Sequence, residues 1–218
     1  MTPFLLVLSA PSGGGKTTLA KSLLAAREDM GYSVSATTRA PRPGEQDRRD
    51  YFFLTKKEFR RRVDAGEFVE WAEYGGELYG TLKSQVDAVL GSGRHVVLDI
   101  EIHGARAVRA LYPDAVLVFI VPPSADELLQ RLGGAHGTRA GSLERRLRRA
   151  VEELKVALEY DYVVVNADRT EALADVAAIV DAESLRPRRN PDWEADLDEL
   201  GREIERLAVA VAKQSQEA

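Results

Sequence analysis

The residues best suited to chemistry stand near the start of the chain. Ala10-Pro11-Ser12-Gly13-Gly14-Gly15-Lys16-Thr17, followed by Thr18, combines three successive glycines with a lysine and two hydroxyls. Glycines let the backbone turn tightly and aim consecutive N–H groups at one anion. A helix opening directly after the loop adds its positive end to the same point. Lys16 can reach the β- and γ-phosphates as a mobile cation, and the Thr17 hydroxyl is a ligand for Mg²⁺ bound with ATP. The strict form of this loop begins with glycine, where this chain has Ala10. The loop selects a nucleoside triphosphate and leaves the acceptor open.

A second group lies in Ser35-Ala36-Thr37-Thr38-Arg39-Ala40-Pro41-Arg42-Pro43-Gly44-Glu45. Two arginines three apart, stiffened by prolines, make a fixed pair of forked donors suited to a phosphate monoester. On physics alone a basic surface turn reads equally well. Asp99 ends the apolar run 96–98. At the carboxyl edge of a parallel sheet such a carboxylate faces the ligand crevice, where it could hold a metal-bound water or orient an acceptor phosphate. Capping of the next turn is the plain alternative. Arginine runs at 60–62, 145–149 and 186–189 add cations. The middle run reads as a solvated helix face within which single arginines can still serve a site.

These groups need elements to hold them. Residues 4–8, 96–100, 116–121 and 162–165 are continuous apolar runs, as expected of strands covered on both faces. Helical spacing appears over 17–28, with Gly31 as a stop, and over 103–110, 125–132, 143–160 and 171–183. Alternation of this kind predicts an α/β fold with a parallel sheet flanked by helices. The first unit, strand, glycine loop and helix, covers residues 1–32. Residues 33–90 break the rhythm. Strands are expected at 51–54 and 67–74, a hairpin turn at Gly75-Gly76 leading into 77–79, and a short helix opened by Thr55 and Glu58. This mixed α/β insertion suits substrate contacts. The core then resumes over 91–132 and 142–186. Between those two stretches, 133–141 is glycine-rich and reads as a short lid or an ordinary loop. The extension 187–218 carries Trp193, Leu197, Leu200, Ile204, Leu207 and Val211 in alternating steps of four and three. That is one apolar stripe on a helix, packed either on the chain's own core or against a second subunit.

Composition excludes several classes. Over 218 residues the formal net charge is −5, a poor basis for general nucleic-acid binding. The chain has no cysteine, which removes disulfides, thiolate catalysis and cysteine-based zinc sites, and fits a cytoplasmic protein. No apolar run is long enough to span a bilayer, so no membrane partner is expected.

Taken together, the motifs resemble the guanylate kinase family, its bacterial branch in particular. Thr37-Thr38-Arg39-Ala40-Pro41-Arg42-Pro43-Gly44-Glu45 is similar to the family signature. Asp50-Tyr51-Phe52-Phe53, Glu67-Phe68-Val69-Glu70-Trp71-Ala72 and Leu78-Tyr79-Gly80-Thr81 follow in the family's order. So do Leu98-Asp99-Ile100-Glu101 with Gly104, and Tyr160-Asp161-Tyr162-Val163-Val164-Val165-Asn166. The resemblance spans about residues 4–186. It implies a P-loop core with a GMP-binding insertion, and transfer of the γ-phosphoryl group of ATP to GMP or dGMP. It further implies that Ser35, Arg39, Arg42, Tyr51 and Tyr79 hold the GMP phosphate, that Glu70 and Thr81 read guanine, and that Asp99 and Glu101 line the same pocket. Arg131 and Arg146 would clamp the transferring group, Asn166 would touch adenine, and Ser12, Gly13, Gly14, Gly15, Lys16, Thr17 and Thr18 would hold the ATP phosphates. Three positions depart from the family pattern: Glu101 for aspartate, His103 for glutamine, and His136 for the lid arginine, which Arg139 could replace.

Overall fold

The computed structural model describes residues 1–133 and 140–216. The lid positions His136 and Arg139 lie outside the described residues. The chain divides into two compact units, one of Pro3–Val180 and one of Met1–Thr2 with Asp181–Ala218.

In the larger unit, β1 (Leu5–Ser9), β2 (Met30–Tyr32), β7 (His95–Asp99), β8 (Val116–Val121) and β9 (Tyr162–Val165) form an all-parallel sheet. Their order is β2-β7-β1-β8-β9. Alternate side chains of β1 explain why its run is apolar without interruption. Leu6 and Leu8 pack with Leu19 and Leu23 of α1 (Lys16–Ala26) and with Val176 of α7 (Arg169–Ser184). Leu5 and Val7 pack on the opposite side with Val86 and Val89 of α3 (Lys83–Gly91) and Val108 of α4 (Ile102–Leu111). A strand with helices on both faces has no solvated positions to mark its period. β1 and β7 end side by side, with Leu8 paired to Asp99, which brings the glycine loop and Asp99 to one edge.

The insertion forms its own sheet, ordered β4-β3-β6-β5 from β4 (Phe52–Phe53), β3 (Ala36–Thr37), β6 (Glu77–Leu82) and β5 (Phe68–Tyr74). α2 (Lys56–Asp64) covers it through Phe59, whose ring stacks on Phe68 at 4.4 Å. Thr55 caps α2 by accepting from the Glu58 N–H at 3.1 Å, as its sequence predicts.

Several element expectations are corrected. α1 stops at Arg27 instead of Gly31, which lies inside β2. β2, β3 and α3 had no counterpart in the sequence reading, and β6 runs three residues beyond Tyr79. The helix expected over 143–160 ends in α6 (Ala140–Leu154), and a single tight turn, Ala157–Glu159, follows. α5 (Ala125–Gly133) matches its predicted span to within a residue.

In the smaller unit, Arg189 and Glu183 form a buried ion pair at 3.1 Å, and the Thr2 N–H donates to the Arg189 carbonyl. α8 (Trp193–Gln216) runs unbroken through Gly201. Its stripe residues Leu197, Leu200, Ile204 and Leu207 are all more than half exposed. Among the described residues no helix is long and apolar enough to cross a membrane.

Candidate active site

The loop after β1 is built by its glycines and braced from behind. Gly15 has φ of +92°, and a Cβ there would lie 2.5 Å from Nδ2 of Asn166. That amide donates to the Gly14 carbonyl at 2.9 Å, and the Asn166 N–H donates to Val121 at the end of β8. Asn166 therefore fixes the loop's rear wall, whatever else its side chain touches. Ala10 is buried, so the position where the strict motif has glycine takes part in the core. Gly13 lies against Leu132, and Lys16, Thr17 and Thr18 are the first three residues of α1.

Ser12 is held from α6 on both its polar groups. Its hydroxyl accepts from Arg146 at 3.0 and 3.3 Å, and its N–H donates to Glu153 at 3.3 Å. Arg131 on α5 donates to Glu127 at 2.9 Å and to the Asn166 carbonyl at 2.9 Å. Arg146 thus holds the loop itself, and Arg131 holds the Asn166 that braces it.

At the end of β7, Asp99 accepts from the Thr17 hydroxyl at 2.7 Å and from the Tyr32 hydroxyl at 3.3 Å. Burial, then the Asp99 charge, pushes the Tyr32 phenol up. Burial and Asp99 also raise Tyr51, which belongs to the insertion, so Asp99 faces both halves of the cleft. A hydroxyl and a carboxylate 2.7 Å apart are a hard-oxygen donor pair. They suit a small divalent cation that keeps waters and takes phosphate oxygens as its other ligands. Among the described residues no cluster of three or more histidines and carboxylates forms a cage for a metal held by protein alone.

The insertion supplies the other side. Arg39 forms a bidentate pair with Glu45 at 2.9 and 3.0 Å and lies over the rings of Tyr51 and Phe53. The guanidinium beside it, then the Arg42 N–H at 2.7 Å, hold the Glu45 carboxyl down to about 2. Arg42 itself is exposed. Tyr51 and Tyr79 meet edge to face at 6.4 Å, and the Ser35 carbonyl accepts from the Phe52 N–H.

Deeper in, Glu70 on β5 accepts from the Thr81 hydroxyl across the ladder at 2.7 Å. Burial raises the Glu70 carboxyl, Thr81 opposes this, and the charge of Glu101 adds to it. Glu70 and His103 line a cavity of about 290 Å³ together with Gly104. Glu101 turns to the loop, accepting from Lys16 at 2.8 Å on one oxygen and from Arg149 at 3.1 Å on the other.

Apart from the lid positions His136 and Arg139, the sequence-derived site residues are all among the described ones. Hydrogen bonds tie Thr17 to Asp99 and Lys16 to Glu101, and the charges of Asp99 and Glu101 act in turn on Tyr51 and Glu70. Four participants went unassigned in the sequence: Tyr32, Glu45 as the partner of Arg39, Arg149 and Glu153. Arg149 is three residues beyond Arg146 and Glu153 four beyond Arg149, so helical spacing places them on one face of α6. That spacing was a usable signal inside a run otherwise read as solvated.

Comparison with known proteins gives a consistent result. The model of the guanylate kinase family matches residues 3–183. The guanylate kinase of Symbiobacterium thermophilum is 49% identical over 85% of this chain and 88% of its own length. That of Rubrobacter xylanophilus is 48% identical over 81% and 92%. The crystal structure of guanylate kinase from Anaplasma phagocytophilum aligns with a TM-score of 0.70 at 34% identity, covering 86% of this chain and 89% of that one.

Proposed function

The chain belongs to the guanylate kinase family, and from that membership we infer the task of each half of the cleft. The enzyme transfers a phosphoryl group from ATP to GMP. We extend this to dGMP, because none of the acceptor contacts assigned below requires the ribose 2′-hydroxyl.

On the donor side, the backbone of Ser12, Gly13, Gly14 and Gly15 would cradle the β- and γ-phosphates, with Lys16 as the mobile cation and Thr17 and Thr18 at the helix start. Asn166, besides bracing the loop, would border adenine. Thr17 and Asp99 would hold Mg²⁺, directly and through water. Bound there, Mg²⁺ would supply positive charge to the phosphates. On the acceptor side, Arg39, Arg42, Ser35, Tyr51 and Tyr79 would hold the GMP phosphate. Glu70 would accept from guanine N1–H and its amino group, and Thr81 would address O6.

The GMP phosphate oxygen is itself the nucleophile, so the protein needs no covalent intermediate. Its contribution is in-line placement and neutralisation of charge spread over the transferring group. Lys16, Arg131 and Arg146 stand on the donor side for that purpose, and Arg39 and Arg42 on the acceptor side. Discrimination against adenine follows from electrostatics. Adenine presents a lone pair where guanine presents N1–H, and an unpaired buried carboxylate costs roughly 1–3 kcal/mol or more. We place the enzyme in the cytoplasm and take the α8 stripe as the surface through which a second copy pairs.

The observation that carries this reading is that Glu101, paired to Lys16 at 2.8 Å, also acts through its charge on the half-buried Glu70 that Thr81 holds at 2.7 Å, which couples the base reader to the phosphate lysine. A coupled assay with ATP, Mg²⁺ and GMP, dGMP, AMP or UMP tests it. GMP and dGMP should turn over at least a hundredfold more efficiently than AMP or UMP, about what a mismatched buried polar pair costs. Comparable turnover of AMP would overturn the assignment of Glu70.

A further inference from the structure

α6 turns three charged residues, Arg146, Arg149 and Glu153, toward the glycine loop. The middle one is bound on both sides. Arg149 donates through Nε to Glu153 at 2.7 Å and through Nη2 to Glu101 at 3.1 Å. The other oxygen of Glu101 accepts from Lys16 at 2.8 Å. One carboxylate is therefore held between the loop lysine and a helix arginine, with a cation on each oxygen. Glu153 is only 6% exposed, and its second oxygen accepts from the Ser12 N–H. Arg149 is thus anchored to the loop whose anion it would meet. Arg148, its neighbour in sequence, pairs instead with Glu144 along the helix and is well exposed.

Two cations that share a carboxylate through separate oxygens can share a phosphoryl group in the same way. The carboxylate offers two oxygens and one negative charge. A γ-phosphoryl group offers three oxygens and more charge, so it competes well for both partners. Lys16 must leave Glu101 to serve the phosphates. Once it does, Arg149 stands within one side chain's length of the same anion. We propose that Arg149 is a further cation of the phosphoryl-transfer site, held on Glu101 and passed with Lys16 to the nucleotide phosphate, with Glu153 as the residue that positions it. The inference rests on the phosphotransfer reading of the cleft and adds a residue to it.

Steady-state kinetics of Arg149→Met, Arg148→Met and the double variant Arg149→Met/Glu153→Gln test this. Arg149→Met should lower kcat about ten- to a hundredfold, up to the low end of what removing one preorganised donor costs, with the KM for GMP within about threefold. Arg149→Lys should recover part of that loss, because it restores the charge without the fork. Arg148→Met removes the same charge from the same helix and should stay within about twofold of the parent. An equal loss in Arg148→Met would reduce the effect to general electrostatics and overturn the proposal. Recovery of full kcat in the double variant would do the same, since Arg149 would then serve only to neutralise Glu153. If Arg149→Met matches the parent while Lys16→Ala abolishes turnover, the inference falls and the phosphotransfer reading stands. If the parent enzyme fails to phosphorylate GMP at all, that reading falls first.

Discussion

Glu70 is where burial and recognition pull in opposite directions. Its carboxyl lies above the ordinary 4.5 because burial outweighs the Thr81 hydrogen bond. A group raised in the folded state contributes stability that is fully present below 4.5 and lost as pH rises through its folded value. Guanine reverses the preference, because two donors favour the ionised form. GMP binding should therefore release a proton as pH approaches that folded value, and tighten with rising pH until Glu70 is ionised without ligand. The GMP phosphate titrates near about pH 6 and contributes its own slope. The informative quantity is the difference between the parent and Glu70→Gln in calorimetry across pH 4.5–8. Glu70→Gln should weaken GMP about tenfold or more at pH 7.5 with ATP affinity nearly unchanged, and should erase the Glu70 part of the slope. It should also melt no lower than the parent at pH 8, since it removes a buried charge and keeps an acceptor for Thr81. Matching pH slopes in the two proteins would sink the assignment.

Among the elements, those that sequence revealed are those with a period or a long run to show. β1, β7 and β8 were legible because their apolar runs are packed on both faces, and β9, an edge strand with Val163 and Val165 about half exposed, because its run of valines is unbroken. β2 and β3 are three and two residues long, too short for any pattern, and exist because neighbouring strands offer them hydrogen bonds. Residues 143–160 were read as one helix because their apolar spacing continues past Leu154, where the chain in fact breaks into a separate turn before β9. The site divides the same way. Lys16 was visible from its own loop, and Arg39 and Glu70 acquired roles only through the family resemblance, whereas Arg149–Glu101 and Tyr32–Asp99 join residues 48 and 67 apart. Gly104, in the first turn of α4, gives an element-scale test. A Cβ there would lie 2.9 Å from the Glu70 carboxylate oxygen. Gly104→Ala gains up to about 1 kcal/mol of helix propensity, which the close contact offsets, so stability should change little. The side chain that must give way is the base reader. The KM for GMP should rise about tenfold while that for ATP stays within about twofold, a loss on the scale of one disturbed hydrogen bond. An unchanged KM for GMP would show that Glu70 can shift without cost.

For the whole molecule, the α8 stripe can be covered either by the chain's own core or by a second subunit. Exposure of Leu197, Leu200, Ile204 and Leu207 leaves apolar surface that favours association. Their spacing is that of the inner positions of a two-stranded coil. The flanking charges permit a parallel pair. In that arrangement each flanking acid faces the residue five positions on in the second helix, so Asp196 meets Gly201 and Glu203 meets Ala208. No carboxylate is set against another across the seam. Gly201 lacks packing surface and lowers helix propensity by about 1 kcal/mol, so the pair should be weak and concentration-dependent. Sedimentation of the full chain from about 1 to 100 μM should show a monomer giving way to a dimer. A chain ending at Asn190 should remain monomeric over that range and keep its kcat, because every proposed site residue lies between Ser12 and Asn166. Leu200→Glu with Ile204→Glu should abolish the dimer without removing the helix. A dimer that survives both changes would place the contact elsewhere, and loss of kcat in the shortened chain would show that the smaller unit bears on catalysis.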